Sequence, residues 1–183
     1  MTVIHFVDVE TSGTTDSDEI LDCAIVAWRD GQRDVRYNRQ FFCSGLMSPE
    51  AAQMIGYKSK DEWGQQRGAT WMTANDVGHM AAALNKAQVL AGFAPSFQRR
   101  MLFATFRRMR IQYPQLTRSV IDVASLAAPF LFKGLPDLSS DNVCKLLGIP
   151  HVGGNALNDC HRAISVFEAL TSAYWKGLGN VGG

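Results

Sequence analysis

Two carboxylates, Asp8 and Glu10, stand two residues apart at the end of an apolar run from Val3 to Val9. The run is apolar at nearly every position, the pattern of a short central strand covered on both faces. Strand alternation sends both carboxylates off the same face, about 7 Å apart at the backbone. Like charges so placed need a cation between them; the plainer alternative is that they mark where the strand reaches solvent. A third carboxylate, Asp159, lies three residues after Ala156 and four before Ala163, inside a stripe that includes Cys160, Phe167 and Leu170. On a helix this position points inward. An unpaired buried carboxylate costs on the order of several kcal/mol, so Asp159 needs a metal ion or a hydrogen-bond network. The alternative for Asp159 is a partner such as Arg162 on the same helix.

The elements that must position these groups follow from periodicity and turn chemistry. Runs from Ile20 to Trp28 and from Val35 to Cys43, separated by Asp30-Gly31-Gln32, read as an antiparallel hairpin. Ser48-Pro49-Glu50 opens a short helix ending at Ile55, and Thr73 to Lys86 carries a helical apolar pattern. A mobile loop is expected between them. The second half alternates strand and helix: Gln88 to Phe93, Ser96 to Arg110, Ser119 to Ile121 and Val123 to Leu131. Ser139 or Ser140 caps a further helix that ends at Leu147-Gly148, and the last helix runs from near Asn155 to about Lys176.

With 183 residues, 46% of them hydrophobic, the chain fills one sizeable core and not two large ones. The expectation is one domain over residues 1–176 and a flexible Gly-rich tail over 177–183. Eighteen basic and seventeen acidic residues leave a formal charge of +1, so no global field draws the protein to nucleic acid or membrane, and any polyanion contact is local. Cys23, Cys43, Cys144 and Cys160 lack C-x-x-C spacing and sit among apolar neighbours, which suits buried free thiols in a reducing compartment. The first residues are too few for a signal peptide before the acidic pair, and no apolar run reaches the roughly eighteen residues of a membrane helix. A cytoplasmic location is the expectation.

The segment Phe6-Val7-Asp8-Val9-Glu10-Thr11-Ser12-Gly13 resembles the first motif of the DEDD superfamily of 3′-to-5′ exonucleases. Gly154-Asn155-Ala156-Leu157-Asn158-Asp159-Cys160 is similar to the last motif of its histidine-dependent branch, that of ribonuclease T and the proofreading exonucleases, with Gly154 at the position of the His. Phe93-Ala94-Pro95-Ser96-Phe97-Gln98 is similar to the middle motif, with Gln98 at the position of an Asp. Ser48 to Tyr57 and Ser119 to Leu131 also look like the family's intervening segments, so the resemblance spans roughly Val3 to Tyr174. It implies a ribonuclease-H-like α/β fold, a mixed five-stranded sheet with helices on both faces, whose first three strands are antiparallel.

In the family, four carboxylates hold two Mg²⁺ or Mn²⁺ ions that clamp the attacking and leaving oxygens of a phosphodiester, and the His deprotonates water. By this resemblance Asp8, Glu10 and Asp159 are the metal ligands and catalytic residues, and Thr11 contacts the terminal nucleotide. Gln98 offers an oxygen without charge, so one ion is retained and a second is bound weakly if at all. Gly154 offers no base; its loss costs about 10²- to 10⁴-fold in rate. His161 lies about 200° round the helix from Asp159 and is excluded as a substitute. His151 precedes the flexible pair Gly153-Gly154 and is a loop histidine or a replacement base, while His5 and His79 are structural. Asp122 is a helix cap or a replacement carboxylate. Arg99 and Arg100 open an arginine-rich segment that holds a phosphate backbone or is a solvated helix face. The expectation is a protein that receives a nucleic-acid 3′ end, with hydrolysis slow or absent. The alternative is a nuclease-derived module that binds a protein or nucleic-acid partner and has no catalytic role.

Overall fold

A computed structural model describes residues 2–56, 60–85, 87–116, 119–133, 136–150 and 154–179. Five strands, β1 (Ile4–Thr11), β2 (Ile20–Arg29), β3 (Gln32–Gln40), β4 (Val89–Gly92) and β5 (Val120–Asp122), form one sheet in the order β3-β2-β1-β4-β5. β1, β2 and β3 are antiparallel, whereas β4 runs parallel to β1 and β5 runs parallel to β4. The mixed sheet implied by the sequence is therefore the sheet of the chain. β3 begins three residues earlier than its apolar run suggests, because Arg29 pairs directly with Gln32 across the two-residue turn Asp30-Gly31.

β1 sorts the core into two layers. Ile4 and Phe6 face α7 (Ala156–Gly179), whose Cys160, Ala163, Ile164, Phe167 and Leu170 pack on that side of the sheet. Val7 and Val9 face the opposite layer, made by α3 (Ala74–Leu84) and α4 (Pro95–Arg108) through Val77, Met80, Leu84, Met101, Leu102 and Phe106. Asp8 and Glu10 continue the α7-facing series past the end of the apolar core.

The caps agree with the sequence. Ser48 caps α1 (Pro49–Met54), and Thr73 forms a reciprocal capping box with Asp76 at the start of α3. Ser139 caps α6 (Ser140–Leu147), which ends on left-handed Gly148.

Three expectations are corrected. The segment expected as a mobile loop contains α2 (Lys60–Arg67). Its Trp63 is fully buried against Leu21, Cys43 and Ile55 and donates its indole N–H to the Phe41 carbonyl at 2.9 Å. One aromatic anchor thus orders a stretch with no helical stripe of its own. The helix expected from Val123 to Leu131 is α-helical only as α5 (Val123–Leu126) and continues as a 3₁₀ turn over Ala128–Lys133. Pro129 lacks an N–H, and its ring opposes the carbonyl four residues back. Finally, α7 continues to Gly179, past Lys176 and into the segment expected as a tail. Residues 180–183 and His151 lie outside the described residues. No helix among the described residues is long and apolar enough to cross a membrane.

Candidate functional site

The cleft opens at the sheet edge where β1 ends, between the first turns of α4, α6 and α7. It has a volume of about 500 Å³, and its lining includes Asp8, Glu10, Phe93, Phe97, Gln98, Asp141, Gly154, Asp159 and Arg162. β1 delivers Asp8 and Glu10 from alternate positions, paired across the sheet with Ala24 and Asp22. α7 delivers Asp159 from its first turn. One oxygen from each of Asp8, Glu10 and Asp159 lies within 4.8 Å of the others. The three carboxylates singled out in the sequence thus converge, and all are only partly exposed.

This convergence has an electrostatic signature. Burial raises the Asp8 carboxyl well above its ordinary value, and the negative charges of Glu10, Asp159 and Asp22 push it further the same way. A hydrogen bond from Gln98 Nε2 to Asp8 Oδ1, 2.6 Å long, opposes them. Without a cation the negative charges of the cluster therefore repel one another. Three oxygen donors of this charge suit one hard divalent ion, which would relieve the same repulsion.

Gln98 meets this cluster as a hydrogen-bond donor. It turns its N–H toward Asp8 and leaves Oε1, itself buried, without a protein partner. That oxygen lies over Gly92, where an added Cβ would come within 2.4 Å of it and 2.8 Å of the Val7 carbonyl. The side chain is seated in a slot that glycine keeps open, as a donor to Asp8. The sequence-based expectation of a neutral oxygen ligand meets an amide pointed the other way.

Arg162 was recognisable in the sequence only as an alternative partner for Asp159, yet it is a wall of the cleft. Its guanidinium bonds Asp159 Oδ1 through Nη2 and approaches Asp141 Oδ1 at 3.5 Å through Nη1. The Phe93 ring lies 6.0 Å below it. Asp159 therefore combines both readings, as a member of the acidic cluster and as half of an ion pair.

Asp22 was missed altogether. It is fully buried, accepts the backbone N–H of Ala156 at 3.2 Å and the Gln40 side-chain amide at 3.1 Å, and so ties the first turn of α7 to β2. A carboxylate at a helix N-terminus satisfies an orphan donor and opposes the helix dipole favourably. Its one signal in the sequence is a charge inside the otherwise apolar run from Ile20 to Trp28.

The remaining candidates lie elsewhere or are engaged. Thr11 is buried and its hydroxyl donates to the Gly13 carbonyl at 2.6 Å. Arg99 and Arg100 do not line the cleft; with Phe103, Arg107 and Tyr113 they border a second pocket of about 450 Å³. Arg100 donates to the Thr14 carbonyl, Arg107 pairs with Asp16, and Arg108 donates to the Ser17 and Asp18 carbonyls. These arginines hold the loop after β1. Arg99 instead rests over the Phe103 ring.

Asp122 caps α5, accepting from Ala124 and Ser125, and is not among the lining residues of the cleft. His5 faces the opposite layer in a small pocket with Arg29 and Arg36, His79 is exposed on α3, and the backbone carbonyl of His161 accepts from Arg33. All four cysteines are buried and outside any disulfide; burial pushes the Cys160 thiol up, and it donates weakly to the Phe6 and Ala24 carbonyls.

No protein-family model matches the chain, and no curated protein sequence does. Solved structures do. Exonuclease I of E. coli in complex with a dT13 oligonucleotide superposes with a TM-score of 0.74 at 17% identity, over 99% of this chain and 43% of that one. A zinc-bound form of the E. coli exonuclease I complex with single-stranded DNA gives 0.74 at 17% identity, over 94% and 41%. An exonuclease I complex with SSB-Ct gives 0.71 at 18% identity, over 94% and 41%. The chain thus spans about two fifths of the length of these proteins. At this identity the likeness establishes the fold, and the implied exonuclease-type α/β architecture is the one the chain adopts.

Proposed function

We propose that this protein receives the 3′ end of a single-stranded nucleic acid in the cleft between β1, α4 and α7, with one Mg²⁺ or Mn²⁺ held by Asp8, Glu10 and Asp159, and hydrolyses it slowly. The observation that carries this reading is the convergence of three carboxylate oxygens within 4.8 Å at the open end of a central strand. It is supported by a fold shared with proteins whose solved complexes contain single-stranded DNA. A bound ion would polarise a phosphoryl oxygen and lower the pKa of water. The chain supplies the rest. Phe93 and Phe97 offer apolar faces beside the carboxylates on which a terminal base can stack. Arg162 offers a guanidinium to a phosphate.

No imidazole lines the cleft among the described residues, and Gly154 stands there where the resemblance would put a His. Among the described lining residues proton removal from water falls to a carboxylate or to solvent, which supports a slow reaction.

The test is Mn²⁺-dependent release of mononucleotides from 3′-labelled single strands, with the Asp8→Ala, Asp159→Ala double variant as background. Release that depends on Mn²⁺ and disappears in the double variant supports the reading. Release equal in both proteins refutes it.

A second reading has its own observation. Because Gln98 donates to Asp8 and Arg162 to Asp159, two of the three carboxylates already have internal donors, as suits a nuclease-derived module that binds a strand or a protein without cutting it. Strand binding that ignores Mn²⁺, with no release of nucleotides, would favour that reading.

A further inference from the structure

Arg162 is a cation built into a site whose chemistry asks for one. Its side chain is 10% exposed and bridges two carboxylates of different character: Asp159, whose side chain is 13% exposed within the acidic cluster, and Asp141, 72% exposed at the mouth. The inner bond runs along one helix, from position 159 to 162, and the outer one crosses to the first turn of α6. An arginine forks naturally between two oxygens, so one anchor can be released while the other holds.

We propose that the Arg162 guanidinium is the resident counter-ion of the acidic cluster and gates its metal occupancy: a divalent cation gains Asp159 more tightly as Arg162 yields it and withdraws toward Asp141. The proposal rests on the metal reading above and adds a competitor to it. A guanidinium and a divalent ion on one partly buried carboxylate repel each other, so each weakens the other's hold on Asp159. Gln98 acts in the same direction at Asp8, as a neutral donor on a carboxylate that a metal would need. The competition is reciprocal: by whatever factor Arg162 weakens the ion, the ion weakens the Arg162–Asp159 pair. Released at the mouth, the guanidinium is placed to meet a phosphate that enters the cleft.

The experiment titrates the whole protein with MnCl₂ alone, by calorimetry and by electron paramagnetic resonance of free Mn²⁺, without nucleic acid. Three variants are compared with wild type. Arg162→Gln removes the resident charge and should bind Mn²⁺ at least tenfold more tightly, about 1.4 kcal/mol. Arg162→Lys keeps the charge without the fork and should fall between. Arg33→Gln breaks the pair of Arg33 with Glu168 further along α7, removes the same charge outside the cleft, and should shift the affinity less than twofold. Melting temperature gives an independent readout. Without metal Arg162→Gln should melt below wild type, and saturating Mn²⁺ should close that gap; a purely structural arginine would leave the gap open.

Equal Mn²⁺ affinity in wild type and the Arg162→Gln variant overturns the gate and leaves the metal reading standing. Should the Gln variant not fold, the Lys variant decides, and affinity equal to wild type overturns the gate. Absence of Mn²⁺ binding in every protein overturns both.

Discussion

Arginine meets carboxylate in two regions of this molecule, and the outcomes differ because the surroundings do. On the outer face of α4, Arg100 and Arg107 reach Asp16 with side chains at least half exposed, in contacts that water and salt screen. In the cleft, Arg162 and Asp159 are almost wholly out of water, and the same pair of groups becomes part of a coupled cluster with Asp8 and Glu10. The outer arginines fasten a loop. The inner one changes what its neighbours can bind. The number of charges in a segment therefore says less about function than the solvent around them.

The largest expected effect comes from making the cleft more like an intact two-metal site. Gln98→Asp replaces the donor to Asp8 with a fourth negative charge, and should destabilise the metal-free protein by about 2–4 kcal/mol in denaturant melts, with recovery in Mn²⁺. Combined with Gly154→His it should raise nucleotide release by more than the product of the single effects, because ligand and base act as a unit. Gly154 adopts φ 79°, so a His there carries roughly 1–3 kcal/mol of backbone strain. A folded double variant no faster than wild type would mean either that Gln98 and Gly154 do not stand at the positions of the acid and the base or that the cleft does not admit a 3′ end.

A smaller effect follows from the raised Asp8 carboxyl. A group whose folded pKa exceeds its unfolded value favours the folded state most at low pH, and that contribution is lost as pH rises toward the folded value. Asp8→Asn keeps an acceptor for Gln98 and removes the charge. It should leave stability near pH 3 unchanged, and raise the melting temperature at pH 8 by roughly 2–4 °C for each kcal/mol relieved. A melting temperature that falls equally at both pH values would show that Asp8 is not under electrostatic stress.

The smallest effect belongs to the outer region. Arg100→Ala and Arg107→Ala should each cost under about 1 kcal/mol, less at high salt, and should leave Mn²⁺ titration of the cleft unchanged. If either weakens Mn²⁺ binding as much as loss of Asp159 does, the two regions are not independent.

Much of this was legible in the chain. The alternation of β1 placed Asp8 and Glu10 on one face, the helical spacing around Asp159 aimed it inward, and the capping residues Ser48, Thr73 and Ser139 stand where helices begin. These are local rules, which depend on periods of two and 3.6 and on side-chain oxygens within three residues of a free N–H. The segment around Trp63 was not legible, since its helix is held by burial against strands distant in sequence.

Residue types and spacing determined a hairpin followed by alternating strands and helices, with acidic groups at the end of β1 and on the inner face of the last helix, and the family resemblance implied the mixed sheet and an amide and a glycine where that family has an acid and a base. Tertiary structure decided which partners those groups meet. Asp22 could not be known to hold the start of α7, 134 residues away, nor Gln98 to donate to Asp8 across 90, nor Arg162 to bridge from Asp159 to α6. Such contacts depend on the packing of helices against the sheet, and neither local propensity nor periodicity encodes the direction of a side chain across that interface.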